Sequence, residues 1–284
     1  MSEDRLGDDV LQEAVEASRR ALGYRLVAAY ALGSLAHGGF SDLVSDVDLG
    51  LVLADPLLPG DDEAVQAIAD TIRRGPSPLY GRVSIFWGTP STLSGQVEGG
   101  RFPPLDRLDL LEHGRLLLGN DVRGHTARPA PTELLIVGAE FALDFLAGGT
   151  GTAGSGLGSM VPGEDASQEI RQPELLVSRG PRRLTKIILF PVRFLFTAAT
   201  GRVGTNDLAV LHYVARPAAP ATDLVRAALS WRTNGPGPDA VALLGRELVP
   251  LYLYYIEDHA PRLLRAGRPD LSEAFSRWRS RILL

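Results

Sequence analysis

The stretch from Tyr30 to Leu53, YALGSLAHGGFSDLVSDVDLGLVL, constrains the fold more than any other part of the chain. It reads as a strand, a tight Gly-Ser turn, a small-residue segment and a second strand carrying two aspartates. Asp46 and Asp48 are separated by one residue in a run (Val47, Leu49, Leu51, Val52, Leu53) that is otherwise apolar. Alternate strand residues project from one face, so both carboxylates share a face with α-carbons roughly 6.6 Å apart. Ionised side by side they repel, and a strand bound for a core is a costly place for them. A divalent cation removes that cost, and carboxylate oxygens suit hard ions such as Mg²⁺. The plainer alternative is a strand-end pair facing solvent.

Around this stretch the chain alternates between helix and strand. Residues 8–22 place Leu11, Ala14, Val15 and Leu22 at helical spacing, with Gly23 as a C-cap. Arg25–Leu32 reads as a strand, and Ser34 as the N-cap of a short helix that ends at Gly38-Gly39. Residues 61–74 form an amphipathic helix, Gly81–Trp87 a third strand, and 105–118 a helix or a helix followed by a strand. From about Thr132 strand signals nearly vanish, and helical patterns fall at 132–147, 182–200, 206–215, 221–231, 238–265 and 270–282. Between the first two lies a Gly/Ser/Ala-rich segment, read as a linker with a lid as the alternative. The apolar run Ile187–Thr200, interrupted by Pro191 and Arg193, is short for a membrane span and reads as a buried helix kinked at Pro191.

Composition excludes several classes of function. The net charge of −5 gives no overall pull toward nucleic acid or anionic membrane, and the absence of cysteine removes disulfides, thiolate nucleophiles and cysteine zinc sites. The acidic, polar N-terminus is unlike a targeting peptide, so a soluble cytoplasmic protein is expected.

Gly33-Ser34, the segment with Gly38 and Gly39, and then Ser45-Asp46-Val47-Asp48-Leu49 together resemble the polymerase-beta-like nucleotidyltransferase superfamily, closest to its aminoglycoside and minimal branch. LDLLEHGRLLLGND (Leu108–Asp121) is similar to the segment that closes the catalytic domain of those enzymes, and KIILFPVRFLFTAATGRVGTNDLA (Lys186–Ala209) to part of their helical domain. The resemblance implies an α+β fold: a nucleotidyltransferase domain over 1–128, with a mixed sheet and flanking helices, then an all-helical domain over 129–284 with a Gly-rich loop at 147–166. It implies transfer of a nucleoside monophosphate, AMP from ATP, to a hydroxyl of a small, aminoglycoside-like or natural-product acceptor. No nucleic-acid or membrane partner is expected; a homodimer is left open.

The chemistry assigns a role to each position. Asp46 and Asp48 would hold one or two Mg²⁺ ions and serve as the catalytic carboxylates. Gly33 lets the backbone approach the phosphates, and the Ser34 hydroxyl donates to them. Ser45, Lys186 and Arg193 complete the expected nucleotide contacts; the two basic residues lie two helical turns apart on one face. At the edge of a core helix such residues also snorkel or pair.

One position departs from the family pattern. The strand Arg82–Trp87 should supply a third carboxylate, and Ser84 or Phe86 stands there instead. Glu98, Asp106, Asp109 and Glu112 are the acids that could replace it, with Glu112 named as substitute base. Otherwise the site runs on two aspartates, or binds nucleotide without transfer. A degenerate, antitoxin-like interaction protein and a protein adenylyltransferase therefore stand as alternative functions. His37 reads as an exposed turn residue, Arg182 and Arg183 as surface charges, and Tyr252, Tyr254 and Tyr255 as core of a long helix rather than a stacking surface.

Overall fold

A computed structural model describes residues 3–148 and 165–284. The chain divides into two compact units, Met1–Pro129 and Ala130–Leu284.

The first unit runs α1 (Glu3–Leu22), β1 (Leu26–Leu32), α2 (Ser34–His37), β2 (Val47–Leu53), α3 (Asp61–Arg73), β3 (Val83–Gly88), α4 (Pro90–Leu93), α5 (Pro104–His113) and β4 (Arg115–Gly119). Its sheet has the order β3-β2-β1-β4. The pairs β1–β2 and β1–β4 are antiparallel, and β2–β3 is parallel, as the crossover through α3 requires. The expected mixed α+β architecture is observed.

Period-two alternation splits the strands between two cores. Val47, Leu49, Leu51 and Leu53 face Val10, Leu11, Val15, Val65, Ile68 and Ile72 of α1 and α3. Ser18 lies on the same stripe and is fully buried, its hydroxyl donating to the Ala14 carbonyl at 2.8 Å. Tyr30, Leu32, Val52 and Phe86 gather on the opposite face with Leu93, Phe102 and Leu110. Each fully buried aliphatic side chain contributes about 1.5–3 kcal/mol.

Segment 105–118 resolves into helix then strand. The break is Gly114, where a Cβ would lie 2.5 Å from the Leu110 carbonyl oxygen, so only glycine permits the chain to turn this tightly off α5 into β4.

The second unit is all helical: α6 (Pro131–Leu146), α7 (Ser167–Arg171), α8 (Pro173–Ser178), α9 (Pro181–Thr200), α10 (Asn206–Val214), α11 (Thr222–Asn234), α12 (Ala240–Arg265) and α13 (Pro269–Leu283). The expected linker or lid falls largely outside the described residues. Helices α7 and α8 are additions to the sequence reading. They are tied in by Glu169, which is 3% exposed and pairs with Arg179 at 3.2 Å and Arg183 at 2.7 Å. Arg183, read as a surface charge, is thus half-buried and paired with a buried carboxylate, and its guanidinium also lies 5.2 Å from the Phe145 ring centre.

Pro191 sits inside α9 and has no N–H to give the Ile187 carbonyl four residues earlier. The Tyr252 hydroxyl of α12 donates to that carbonyl at 2.8 Å, which satisfies the acceptor that proline leaves open. Among the described residues no helix is long and apolar enough to cross a membrane.

Candidate functional site

The Gly-Ser turn follows β1 directly. Gly33 has φ 60° and ψ −149°, a backbone conformation that L side chains rarely adopt. Leu32 is paired with Asp48 across the β1–β2 ladder, and a Cβ built on Gly33 would overlap the Asp48 Oδ2 atom. Gly33 also accepts at its carbonyl from the amides of Ala36 (3.0 Å) and His37 (3.1 Å), and its own N–H donates to Asp109 Oδ2 at 2.6 Å. Gly33, not Ser34, is the N-cap of α2, and Ser34 is its first helical residue. The expected serine cap is corrected accordingly: the backbone carbonyl of Gly33 closes the turn.

Asp48 lies within β2, whereas Asp46 stands one residue ahead of it. Both are half-buried. Ser84 of β3 is in register with Asp48, and Gly50 with Phe86, so Ser84 and Phe86 occupy the sheet face that carries Asp48. No acid stands on that strand. A cation approaches instead: the Arg101 guanidinium lies 5.4 Å from the Phe86 ring centre and donates to the Ile85 carbonyl at 2.8 Å. Burial lowers the Arg101 pKa from its ordinary value, and the charges of Asp106 and Asp48 oppose that shift. Sequence pattern gives no sign of this role, because Arg101 belongs to a loop that meets β3 through non-local contacts: the Trp87–Arg101 bridge, the Ile85 carbonyl and the Phe86 ring.

Ser45 is buried, and its hydroxyl accepts from the Ser41 amide at 3.0 Å, so it closes the loop ahead of β2. Arg82 braces the same loop, donating to the Asp42 carbonyl at 2.7 Å. Glu112 on α5 pairs with Arg128 at 3.0 Å. His37 and His113 meet edge to face, with ring centres 5.4 Å apart. Of the other candidate acids, Glu98 is exposed, Asp106 opens α5, and Asp109 is buried at 8% exposure. Among the described residues no three Asp, Glu, His or Cys side chains converge to hold a metal ion.

Lys186 and Arg193 lie on α9 in the second unit, both half-buried. Arg193 Nε donates to the Gly204 carbonyl at 2.5 Å, and the guanidinium lies 5.8 Å from the Phe190 ring centre. Tyr252 and Tyr255 are fully buried and Tyr254 packs edge to face on Tyr213, so this aromatic group is core.

No protein-family model matches the sequence, and no curated protein matches it. Among solved structures the chain is similar to the spectinomycin adenyltransferase AAD(9) from Enterococcus faecialis, crystallised with ATP and spectinomycin. The TM-score is 0.52 at 13% identity, over 86% of this chain and 98% of that one. A likeness at that identity speaks for architecture alone: a mixed four-stranded sheet with flanking helices, followed by a helical unit.

Proposed function

We propose that the protein is a nucleotidyltransferase that moves AMP from ATP onto a hydroxyl of a small acceptor. The observation that carries this reading is the packing of side-chain-free Gly33 against the Asp48 carboxylate, within a nucleotidyltransferase fold. It is the arrangement needed to bring triphosphate backbone-close to an acidic strand. The acceptor hydroxyl attacks the α-phosphorus and gives up its proton to water, the bond to the bridging oxygen breaks, and pyrophosphate leaves.

Gly33 and Ser34 would border the phosphates, with the Ser34 hydroxyl as donor. Lys186 and Arg193 are the candidate phosphate contacts of the helical unit, and Ser45 shapes the loop in front of the aspartates. The donor chemistry of Asp46 and Asp48 fits one Mg²⁺, an ion commonly held by one or two carboxylates together with substrate phosphates. When bound it would neutralise charge developing on the phosphate oxygens. Among the described residues, a second protein-held ion has no third carboxylate to rely on.

Spectinomycin in the similar structure, together with the net charge of −5, favours a cationic, hydroxylated acceptor of aminoglycoside-like chemistry. Titration calorimetry with MgATP, followed by a pyrophosphate-release screen across such acceptors, tests the proposal. Failure of the wild-type protein to bind MgATP would overturn it.

A second reading, nucleotide binding without transfer, is favoured by one observation: Ser84 stands in register with Asp48 where a carboxylate is expected. MgATP binding without pyrophosphate release from any acceptor is its signature.

A further inference from the structure

Asp109 is the most unusual side chain of the first unit. It sits on α5 between Leu108 and Leu110, both fully buried, and is itself 8% exposed. One oxygen, Oδ2, accepts from the Gly33 N–H at 2.6 Å; the other, Oδ1, is buried with no hydrogen-bond partner among the described residues. A carboxylate so placed is costly, and a leucine would fill the helix core without that cost. The one thing Asp109 does that leucine cannot is hold the Gly33 amide.

Gly33 is fixed on every side. Its carbonyl takes two amides of α2, the space where its Cβ would stand is filled by Asp48, and its N–H is taken by Asp109. The turn therefore has one orientation relative to Asp48, set from two carboxylates that flank the same glycine. A turn with φ 60° and ψ −149° does not hold itself in place by local preference; glycine samples many conformations readily. A hydrogen bond to a charged acceptor is the stronger kind and suits this restraint.

We propose that Asp109 is a positioning residue of the nucleotide site: it clamps the Gly33 amide and so fixes the Gly-Ser turn for a nucleoside triphosphate. This rests on the nucleotide-site reading above. Glu112, one turn along α5, is engaged by Arg128 at 3.0 Å. Asp109 thus contributes through Gly33, without touching nucleotide itself.

The test compares full-length wild type, Asp109→Asn and Asp109→Ser by MgATP calorimetry, with the Gly33 amide proton followed by NMR. Asn keeps an oxygen that accepts from Gly33, so its affinity stays within about threefold of wild type; Ser is too short and loses about ten- to a hundredfold. The amide proton lies downfield in wild type, moves part-way upfield in Asp109→Asn and further in Asp109→Ser. Rescue by Asn is the readout that general loss of packing does not produce. Wild-type affinity in Asp109→Ser, or a loss in Asp109→Asn equal to that in Asp109→Ser, overturns the proposal. If Asp109→Ser does not fold, an amide proton that Asp109→Asn leaves unmoved overturns it. If wild type does not bind MgATP, the functional reading fails, and the amide resonance alone decides whether the clamp exists.

Discussion

Gly33 and Asp48 occupy one another's space: the carboxylate of Asp48 fills the volume that any side chain at position 33 would need. The glycine is thus required twice, by its positive φ and by its neighbour. Gly33→Ala should lower stability by about 1–3 kcal/mol, the range for a non-glycine residue in a sparsely populated backbone region. It should also weaken MgATP binding by about tenfold or more if displaced Asp48 loses the metal. Chemical denaturation and calorimetry on one preparation read both effects, and an alanine variant with wild-type values on each would show that the contact has no consequence.

Asp46→Asn combined with Asp48→Asn should abolish metal-dependent ATP binding. Asparagine keeps the size of both half-buried side chains, so the double variant should stay folded by circular dichroism. Unchanged MgATP affinity in the double variant would sink the metal-site assignment.

Ser84→Asp places a carboxylate in register with Asp48. Tighter Mn²⁺ binding in the absence of nucleotide is expected, as is faster transfer where proton removal limits the rate; general-base help is typically worth about 10²–10⁴-fold. Arg101, close enough for its charge to be felt by Asp48, should blunt the gain, so Ser84→Asp with Arg101→Met should exceed Ser84→Asp alone. Equal Mn²⁺ affinities in wild type and Ser84→Asp would place residue 84 outside the metal site.

Tyr252→Phe removes the hydroxyl that satisfies Ile187, whose helical partner is lost to Pro191. A buried carbonyl without a donor costs about 1–3 kcal/mol. Pro191→Ala restores the backbone donor, so the penalty for Tyr252→Phe should shrink in that background. A double-mutant cycle by urea denaturation measures the coupling, and additive effects would disprove it.

Acid sensitivity of the helical unit should centre on Asp258. Burial raises its pKa, but His259, 3.2 Å away, and Arg262, 2.9 Å away, more than offset that and bring it to about 2. A carboxyl held below its unfolded value of about 3.9 adds stability that is fully present above that value and fades as pH falls toward 2. Burial also lowers the His259 pKa, so protonating it opposes folding in the same direction. The stability gap between wild type and Asp258→Asn should therefore narrow from pH 4 downward; a constant gap in denaturation midpoints would contradict the pairing.

Local pattern made most elements legible. The apolar run Val47–Leu53 and the helical spacing in 61–74 each matched burial, because the strand meets a core on both faces and the helix meets one on a single face. What stayed hidden was non-local. The roles of Asp109 and Arg101 depend on α5 and on the loop after β3 returning to the sheet, and neither contact leaves a periodic trace. Ser34 looked like a cap because serine commonly is one, yet Gly33 holds that place through its dihedrals. Helices α7 and α8 are short and held by the buried Glu169 pairs, an ion-pair logic that hydrophobic spacing does not express.

The Leu32–Asp48 pairing reaches beyond chemistry, into how the sheet finds its alignment. Strand faces alternate, so sliding β2 by a single residue would thrust Asp48 among the apolar side chains of α1 and α3 and lift Leu49 out of them. Those apolar side chains offer a carboxylate no hydrogen bond, which makes the misaligned ladder prohibitively unfavourable. Asp48 therefore acts as a proofreader of assembly: a chain that has folded with this acid on the face away from α1 and α3 has, by the same event, put its glycine turn and its paired strands in the right place.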